Sequence, residues 1–418
     1  MNIVVLGAGL EGTASAWYLR AAGHEVTVLE RQAAAGMETS FANGGQISVS
    51  HAEPWANPGA PFKLLKWLAR EDAPLLFRLR ADYRQWLWGM QFLIECLPAR
   101  ARRNTAALVK LGMYSRASLQ ELRRETGIRY DELTRGILHL YTDPEEFEAA
   151  RAPAEPMRAM GLDLQLKTPD ECAAIEPALA SCVHLLAGGT YSDSDESGDA
   201  HKFTQSLAQL CAQRGVRFEF EVDIKGFSVD CQRISNVKIQ RKDGKHESVR
   251  GDAYVLALGS YSPLFAQPLG IFLSVYPAKG YSVTMPVKNP AAAWSVSLTD
   301  DEHKLVYSRL GDRLRIAGTA ELTGYNLDIN KLRCEAIVKR TLDLFPEAGD
   351  PSKAQFWTGL RPSTPSNIPY IGRTKYPNLF LNTGHGTLGW THSCGSGKSI
   401  ARIVSGLEPE VDFAFSGR

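Results

Sequence analysis

An α/β fold of two interleaved domains is what this sequence predicts, on three observations. The chain opens with a strand, a glycine-rich turn, a helix and a second strand ending in an acid. Similar strand-and-turn signals return near 253–260 and again near 379–397, and the stretches between them read as separate helical and strand-rich blocks. Joining the separated signals gives one discontinuous unit over 1–60, 188–262 and 352–418, and leaves 61–187 and 263–351 to a second domain. A chain of 418 residues is long enough to bury both cores.

The opening is the most informative stretch. Asn2-Ile-Val-Val-Leu6 reads as a buried strand, Gly7-Ala-Gly-Leu-Glu-Gly12 follows at once, and Thr13 to Ala22 suits a helix that Gly23 stops. Glu25-Val-Thr-Val-Leu-Glu30 then alternates into a second strand. A glycine turn of this spacing is common by itself, but between a strand and a helix it has a mechanism. Gly7 permits the tight turn, Gly9 lets backbone approach a pyrophosphate, and Gly12 lets the helix pack closely on the strand. The helix N-terminus then offers unpaired N–H groups to phosphate. Glu30 is placed to accept hydrogen bonds from ribose hydroxyls and to repel a 2′-phosphate.

Further along, residues 62–103 read as helical, rich in Leu and Trp, interrupted at Pro74 and closed near Pro98, and 104–126 as a second helix ending at Gly127. Ile137 to Thr142 suits a strand, Pro144 to Met160 a helix, Thr168 to Leu179 a short helix, and about His201 to Gln213 a helix ended by Gly215. Val216 to Leu258 alternates in strand fashion, with a turn at Lys242-Asp-Gly244. A second strand-rich region covers Val275 to Gly318, a helix follows near Lys331 to Leu344, and strand and helix character returns from Phe356 onward.

Composition excludes several functions. Lys plus Arg number 47 against 46 Asp plus Glu, so no global field marks a nucleic-acid binder. The seven cysteines are scattered without a C-x-x-C pair, which fits reduced thiols and no structural metal site. Gly395-Ser-Gly-Lys-Ser399 imitates a phosphate loop, but the required first glycine falls at His392. Asp193-Ser-Asp-Glu-Ser-Gly198 opens like a calcium loop, but its twelfth position is Thr204, so a polar loop capping the next helix is the better reading. Neither a G-x-S-x-G elbow nor H-E-x-x-H spacing occurs, which favours cofactor chemistry. Residues 62–103 carry nine basic residues against four acids, with Trp67, Trp86, Trp88 and Phe92 interleaved. Such a segment suits either a lipid interface or an ordinary core helix with solvated charges.

Several segments together are specific. The opening turn with Glu30, Glu38-Thr-Ser-Phe-Ala-Asn-Gly-Gly-Gln-Ile47, Pro54-Trp-Ala-Asn-Pro58, Val275-Tyr-Pro-Ala-Lys-Gly-Tyr-Ser282, Trp357-Thr-Gly-Leu-Arg-Pro362 and Asn382-Thr-Gly-His-Gly-Thr-Leu-Gly-Trp-Thr391 occur in order. Nearly the whole chain resembles the bacterial D-amino acid dehydrogenase small-subunit family, within the glycine oxidase and D-amino acid oxidase flavoprotein superfamily. The resemblance implies a discontinuous Rossmann-like domain binding FAD noncovalently, and a mixed-sheet α+β substrate domain.

It also implies site residues. Gly7, Gly9, Gly12, Glu30 and Arg31 fall at the nucleotide end, Thr39, Ser40, Asn43, Gly44, Gly45, Gln46 and Ile47 in a segment that wraps the flavin, and Ala257, Leu258 and Gly259 in a second cofactor motif. Gly384, His385, Gly386, Thr387, Leu388 and Gly389 match the segment at the isoalloxazine. Arg361 matches the arginine that holds the substrate carboxylate, and Tyr281 a tyrosine that adds a hydroxyl to it or shapes the pocket. One departure stands out: His51 occupies a position where the resemblance leads one to expect Tyr, and Glu53 replaces a small residue. The activity so implied is oxidative deamination of a D-amino acid, with electrons passed to a quinone-type acceptor, in a cytoplasmic protein touching the inner face of the cell membrane. An oxygen-using oxidase of glycine, sarcosine or a proline derivative, and a noncatalytic flavin-binding subunit, are the alternatives.

Overall fold

Strand Asn2–Leu6 is buried along four of its five residues, as a strand covered on both faces must be. In the computed structural model, which describes residues 1–67 and 75–417, it lies inside a six-stranded sheet. The order is Tyr370–Arg373, Leu379–Thr383, Ala253–Leu256, Asn2–Leu6, Glu25–Leu29, Arg217–Glu219, parallel except for the first pair. Helices Leu10–Ala21, Ala200–Gln213 and Gly389–Val404 cover one face, with Trp17, Phe203 and Trp390 in a shared core. On the other face an antiparallel sheet, Val222–Asp230, Arg233–Arg241 and His246–Val249, packs Val222, Ile234 and Val237 against Val4, Leu6 and Leu256.

The C-terminal helix approaches its neighbours where the sequence supplies glycine. A Cβ on Gly397 would stand 2.8 Å from the backbone of Ala14, and one on Gly395 2.7 Å from Ser115. Gly395-Ser-Gly-Lys-Ser399 is therefore a helix-packing stripe within Gly389–Val404, and Lys398 pairs with Glu121 at 3.1 Å.

A second, nine-stranded mixed sheet runs Gln355–Ser363, Tyr276–Pro286, Arg313–Leu322, Leu305–Leu310, Ser297–Asp300, Ile137–Tyr141, Gly188–Ser192, Leu164–Lys167, with Leu75–Phe77 beside Ala320 to Leu322. Helix Lys331–Leu344 covers one face, where Cys334, Ile337 and Leu344 share a core with Tyr281, Val283 and Leu298. Strands Gly188–Ser192 and Gln355–Ser363 pair in this sheet, although both fall within ranges that the sequence assigns to the first domain.

Element limits mostly follow the sequence signals, and the differences cluster at proline. The 62–103 segment is not one interrupted helix: Ala60–Trp67 and Tyr83–Glu95 are helical, Leu75–Phe77 is a strand, and Pro98 opens a helix that runs to Thr126. Proline has no N–H to lose at a helix start and its φ is preset there, so Pro98 marks a beginning and not an end. Gly127 closes that helix with φ 67°. Arg70, Glu71, Asp72 and Pro74 lie outside the described residues. Residues 144–160 form two helices, Pro144–Ala149 and Arg151–Ala159. Helix Pro169–Ile175 starts behind a Thr168–Glu171 capping box and gives way to a 3₁₀ turn, Pro177–Ser181.

Candidate active site

At the first turn, each glycine answers a different demand. Gly7 has φ 102° and a Cβ there would lie 2.7 Å from the Ala257 carbonyl oxygen, while a Cβ on Gly12 would lie 1.9 Å from that of Gly7. Gly9 is not crowded by protein: its Cβ would meet only Ser40 Oγ, at 3.8 Å. The space in front of Gly9 is thus open to a ligand. Helix Leu10–Ala21 begins there with no side chain capping it from Gly9, and Leu10 N donates to Ser40 Oγ at 3.2 Å. Glu30 accepts from Ala8 N at 2.7 Å and Gln32 N at 2.9 Å, while burial raises its pKa. Arg31 pairs with Glu38 and lies 4.0 Å over the Tyr261 ring. Behind the turn, Ala257 N donates to Leu6 O at 3.0 Å and Gly259 turns with φ 52°.

The 39–47 segment is fastened across the second sheet. Thr39 Oγ1 donates to Leu360 O at 2.9 Å, Arg315 Nη1 to Asn43 O at 3.0 Å, and Gly198 N to Gly45 O at 2.7 Å. A Cβ on Gly44 would stand 2.5 Å from Val306, so this backbone rests directly on the sheet. Gln46 Nε2 donates to Ser297 Oγ at 3.0 Å and Thr299 Oγ1 at 3.1 Å, and Ile47 is buried.

Between this segment and the sheet lies a cavity of about 640 Å³ whose walls include Thr39, Asn43, Gly44, Gln46, His51, Tyr281, Arg361, Gly386, Thr387 and Leu388. Arg361, on strand Gln355–Ser363, donates from Nη1 to Thr319 O at 2.7 Å. Its guanidinium lies over Gly280, where a Cβ would be 2.4 Å from Cζ, so only glycine lets it pass. Thr319 holds that carbonyl in place with φ 50°, an uncommon conformation for a β-branched residue. Burial lowers the Arg361 pKa to about 10, and no carboxylate among the described residues lies within ion-pair distance of it. A cation so placed suits an anionic ligand.

Tyr281 borders the cavity, but its hydroxyl is committed elsewhere. It donates to Glu321 Oε2 at 2.6 Å, and Lys279 meets the same carboxylate at 3.1 Å. Arg333, from the helix covering the opposite face of the sheet, lies 5.5 Å from the tyrosine ring. His51 stacks on His139 with centroids 5.1 Å apart, and burial, reinforced by His139, lowers its pKa to about 4. Gly384 turns with φ 85° and Gly389 begins the C-terminal helix. His385 faces away from the cavity, bonding Ser396 Oγ at 2.9 Å through Nε2.

The calcium-like loop is structural. Asp195 accepts from Val49 N at 3.0 Å and Ser50 N at 3.1 Å and pairs with Arg116, while Asp199 caps helix Ala200–Gln213. Sequence reasoning missed His139, Asp301, Gly280 and Thr319. It also missed Glu11, a carboxyl buried inside the glycine turn, whose pKa burial raises and which lies 3.5 Å from His385 Nε2. Only His139 left a signal, as one polar residue in the apolar strand Ile137-Leu-His-Leu-Tyr141.

The family profile described as FAD dependent oxidoreductase matches residues 2–403. The chain belongs to that family. FAD is its cofactor, and the open space at Gly9 before the helix start and the position of Glu30 fit the group. The flavoprotein is 57% identical over 415 residues to a D-amino acid dehydrogenase of Dechloromonas aromatica, covering 99% of each chain. It is 56% identical to one of Paramagnetospirillum magneticum, covering 97% of this chain and 95% of the relative. Glycine oxidase from Bacillus cereus shares the fold at TM-score 0.74 and 21% identity, over 97% of this chain and 95% of the other. L-proline dehydrogenase from P. horikoshii does so at TM-score 0.74 and 18% identity, over 97% and 93%. No described helix is long and apolar enough to cross a membrane.

Proposed function

We propose that this flavoprotein oxidises free D-amino acids to 2-oxo acids and ammonia. The observation that carries the reading is Arg361: a guanidinium deep in the cavity, held by main-chain carbonyls, matches a substrate carboxylate through two parallel hydrogen bonds. The dehydrogenase relatives support D-amino acids as the substrate class. With its carboxylate so held, the substrate loses an ammonium proton, the Cα–H leaves with its electron pair as hydride, and a C=N bond forms. Water then adds to the imine and ammonia departs. FAD, when bound, supplies the hydride acceptor. Positioning carries the step, so a side-chain base is not required.

In this proposal Gly7, Gly9, Gly12 and the following helix start hold the pyrophosphate, Glu30 the ribose and Arg31 the edge of the nucleotide, all without a covalent bond. Thr39 to Ile47, Ala257, Gly259 and Gly384 to Gly389 enclose the rest. Tyr281 lends the wall its main chain, its ring lying in the core under helix Lys331–Leu344, and His51, neutral at ordinary pH, borders the substrate. Segments 1–60, 188–262 and 352–418 act as the FAD domain, with their two strands in the larger sheet reaching into the substrate domain.

The electron acceptor belongs to the same proposal: a quinone, reached at the inner face of the cell membrane. Helix Tyr83–Glu95 supports this, because Trp88 and Phe92 are core while Trp86, Met90, Leu93 and Ile94, with Leu97 beyond, leave an exposed apolar stripe. Exposed Arg102 and Arg103 nearby suit anionic headgroups. Anaerobic bleaching of bound FAD by a panel of D- and L-amino acids tests the reaction; bleaching by L- but not D-isomers contradicts it. Flotation with anionic liposomes, alongside quinone and peroxide assays, tests the acceptor. Rapid peroxide formation without lipid binding contradicts that part.

A further inference from the structure

We propose that FAD binding is coupled to a proton on Glu11: the pyrophosphate is held tightly while this carboxyl is protonated and is loosened when it ionises. This rests on placing the pyrophosphate at the turn from Gly7 to Gly12, and not on the reaction proposed above.

The position of Glu11 sets the geometry. It is the acid in the first turn of helix Leu10–Ala21, and side chains on a helix lean towards its N-terminus, here the phosphate end. The carboxyl also reaches a second helix start: a Cβ on Gly389, the first residue of helix Gly389–Val404, would stand 3.4 Å from Glu11 Oε1. Gly386, Thr387 and Leu388, just before that helix, line the cavity. One carboxyl thus sits between two helix starts, where free main-chain N–H groups and the helix dipoles favour a single anion.

No side chain offsets a charge there. Both Glu11 carboxyl oxygens are buried without a hydrogen-bond partner, and among the described residues only His385 lies within ion-pair distance, its Nε2 3.5 Å from Oε2 and 2.9 Å from Ser396 Oγ. Burial, reinforced by His392, holds His385 well below its ordinary range, so the ring stays neutral. Cys394 on the neighbouring helix, Cys211 on helix Ala200–Gln213, Tyr18 on the same helix and Glu30 beside Ala8 bring no positive charge either. Burial accordingly raises the Glu11 pKa well above the ordinary carboxylate range. The pyrophosphate brings two further negative charges to the same helix start, which opposes ionisation of Glu11 again. By reciprocity, the proton strengthens FAD binding by the factor with which FAD strengthens proton binding. Between the two pKa values of Glu11, without and with FAD, Kd then climbs by up to about tenfold per pH unit.

Dilution of the holoenzyme at constant ionic strength, with released FAD read by its fluorescence, tests this without turnover. In wild type the FAD Kd should rise by about tenfold or more from about pH 6 to 9. Glu11→Gln is neutral throughout and should stay within about threefold over that range. Glu11→Leu, which buries no amide, gives the same reading if the glutamine variant does not fold, and melting temperature identifies folded variants. Glu30→Gln should weaken FAD at every pH and keep the wild-type slope; loss of the slope there would move the proton to Glu30 and overturn the proposal. Gly9→Ala tests the premise separately: undiminished FAD affinity in that variant would place the pyrophosphate elsewhere and remove the proposal with it. Weakened binding in Gly9→Ala together with a flat wild-type profile, or with a slope unchanged in folded Glu11→Gln and Glu11→Leu, overturns the role of Glu11 alone.

Discussion

The nucleotide turn and the substrate cavity are built from different materials. Between Gly7 and Gly12 the surface left open is main chain, and what matters in each glycine is the side chain it lacks. Across the cavity the surface is made of side chains from several strands, each aimed by a partner: Arg361 by Thr319 O, His139 by Asp301, Gln46 by Ser297 and Thr299. The first region fails when atoms are added, the second when functional groups are removed or misdirected.

The largest expected effect comes from Gly12→Ala. Its Cβ would collide with backbone at 1.9 Å, which no rotamer can relieve, so stability should fall by on the order of 4 kcal/mol and FAD should be lost. Thermal unfolding and flavin content measure this. Gly9→Ala sharpens the contrast, since its Cβ meets only Ser40 Oγ at 3.8 Å: folding should change by less than about 1 kcal/mol while FAD affinity falls about tenfold or more. Undiminished FAD affinity in Gly9→Ala would break the distinction.

Gly280→Ala extends the test to the cavity. Its Cβ would stand 2.4 Å from the Arg361 guanidinium, the far end of a flexible chain, so the protein should fold with Arg361 displaced. Substrate KM should rise, with a loss of about 1–3 kcal/mol in kcat/KM. An unchanged KM would mean that Arg361 has no fixed role.

The smallest effect is on pH dependence. Burial lowers the pKa values of both His51 and His392 to about 4, below the ordinary 6.5. Between those values the unfolded chain binds more protons than the folded one, so both histidines contribute stability above about pH 6.5 that is lost as pH falls towards 4. The melting temperature should drop by a few degrees from about pH 7 to 5, and less in His392→Leu.

These differences explain what the sequence could reveal. A main-chain site must be written in closely spaced glycines, so the turn from Gly7 to Gly12 and the return to an acid at Glu30 were legible from spacing alone. Arg361 and the 39–47 segment became legible only through resemblance, since nothing local marks an arginine whose partners lie on other strands. For Tyr281 the two roles, a hydroxyl on the carboxylate or a shaper of the pocket, stayed open because a sequence does not tell which face of a strand a hydroxyl meets; Glu321 takes it. His139 and Asp301 are 162 positions apart, and only the pairing of Ser297–Asp300 with Ile137–Tyr141 joins them. Pro98 was misread because proline is compatible with either a helix start or its interruption.

In the proposed function, Arg361 anchors a D-amino acid carboxylate beside FAD. Anaerobic stopped-flow reduction of bound FAD by D-alanine and by ethylamine, its carboxylate-free analogue, in wild type and Arg361→Ala tests it most directly. D-alanine alone should bleach wild type rapidly. Arg361→Ala should retain FAD but lose on the order of 2–5 kcal/mol of transition-state stabilisation, with Arg361→Lys restoring only part. Near-normal bleaching of FAD-loaded Arg361→Ala by D-alanine would contradict it.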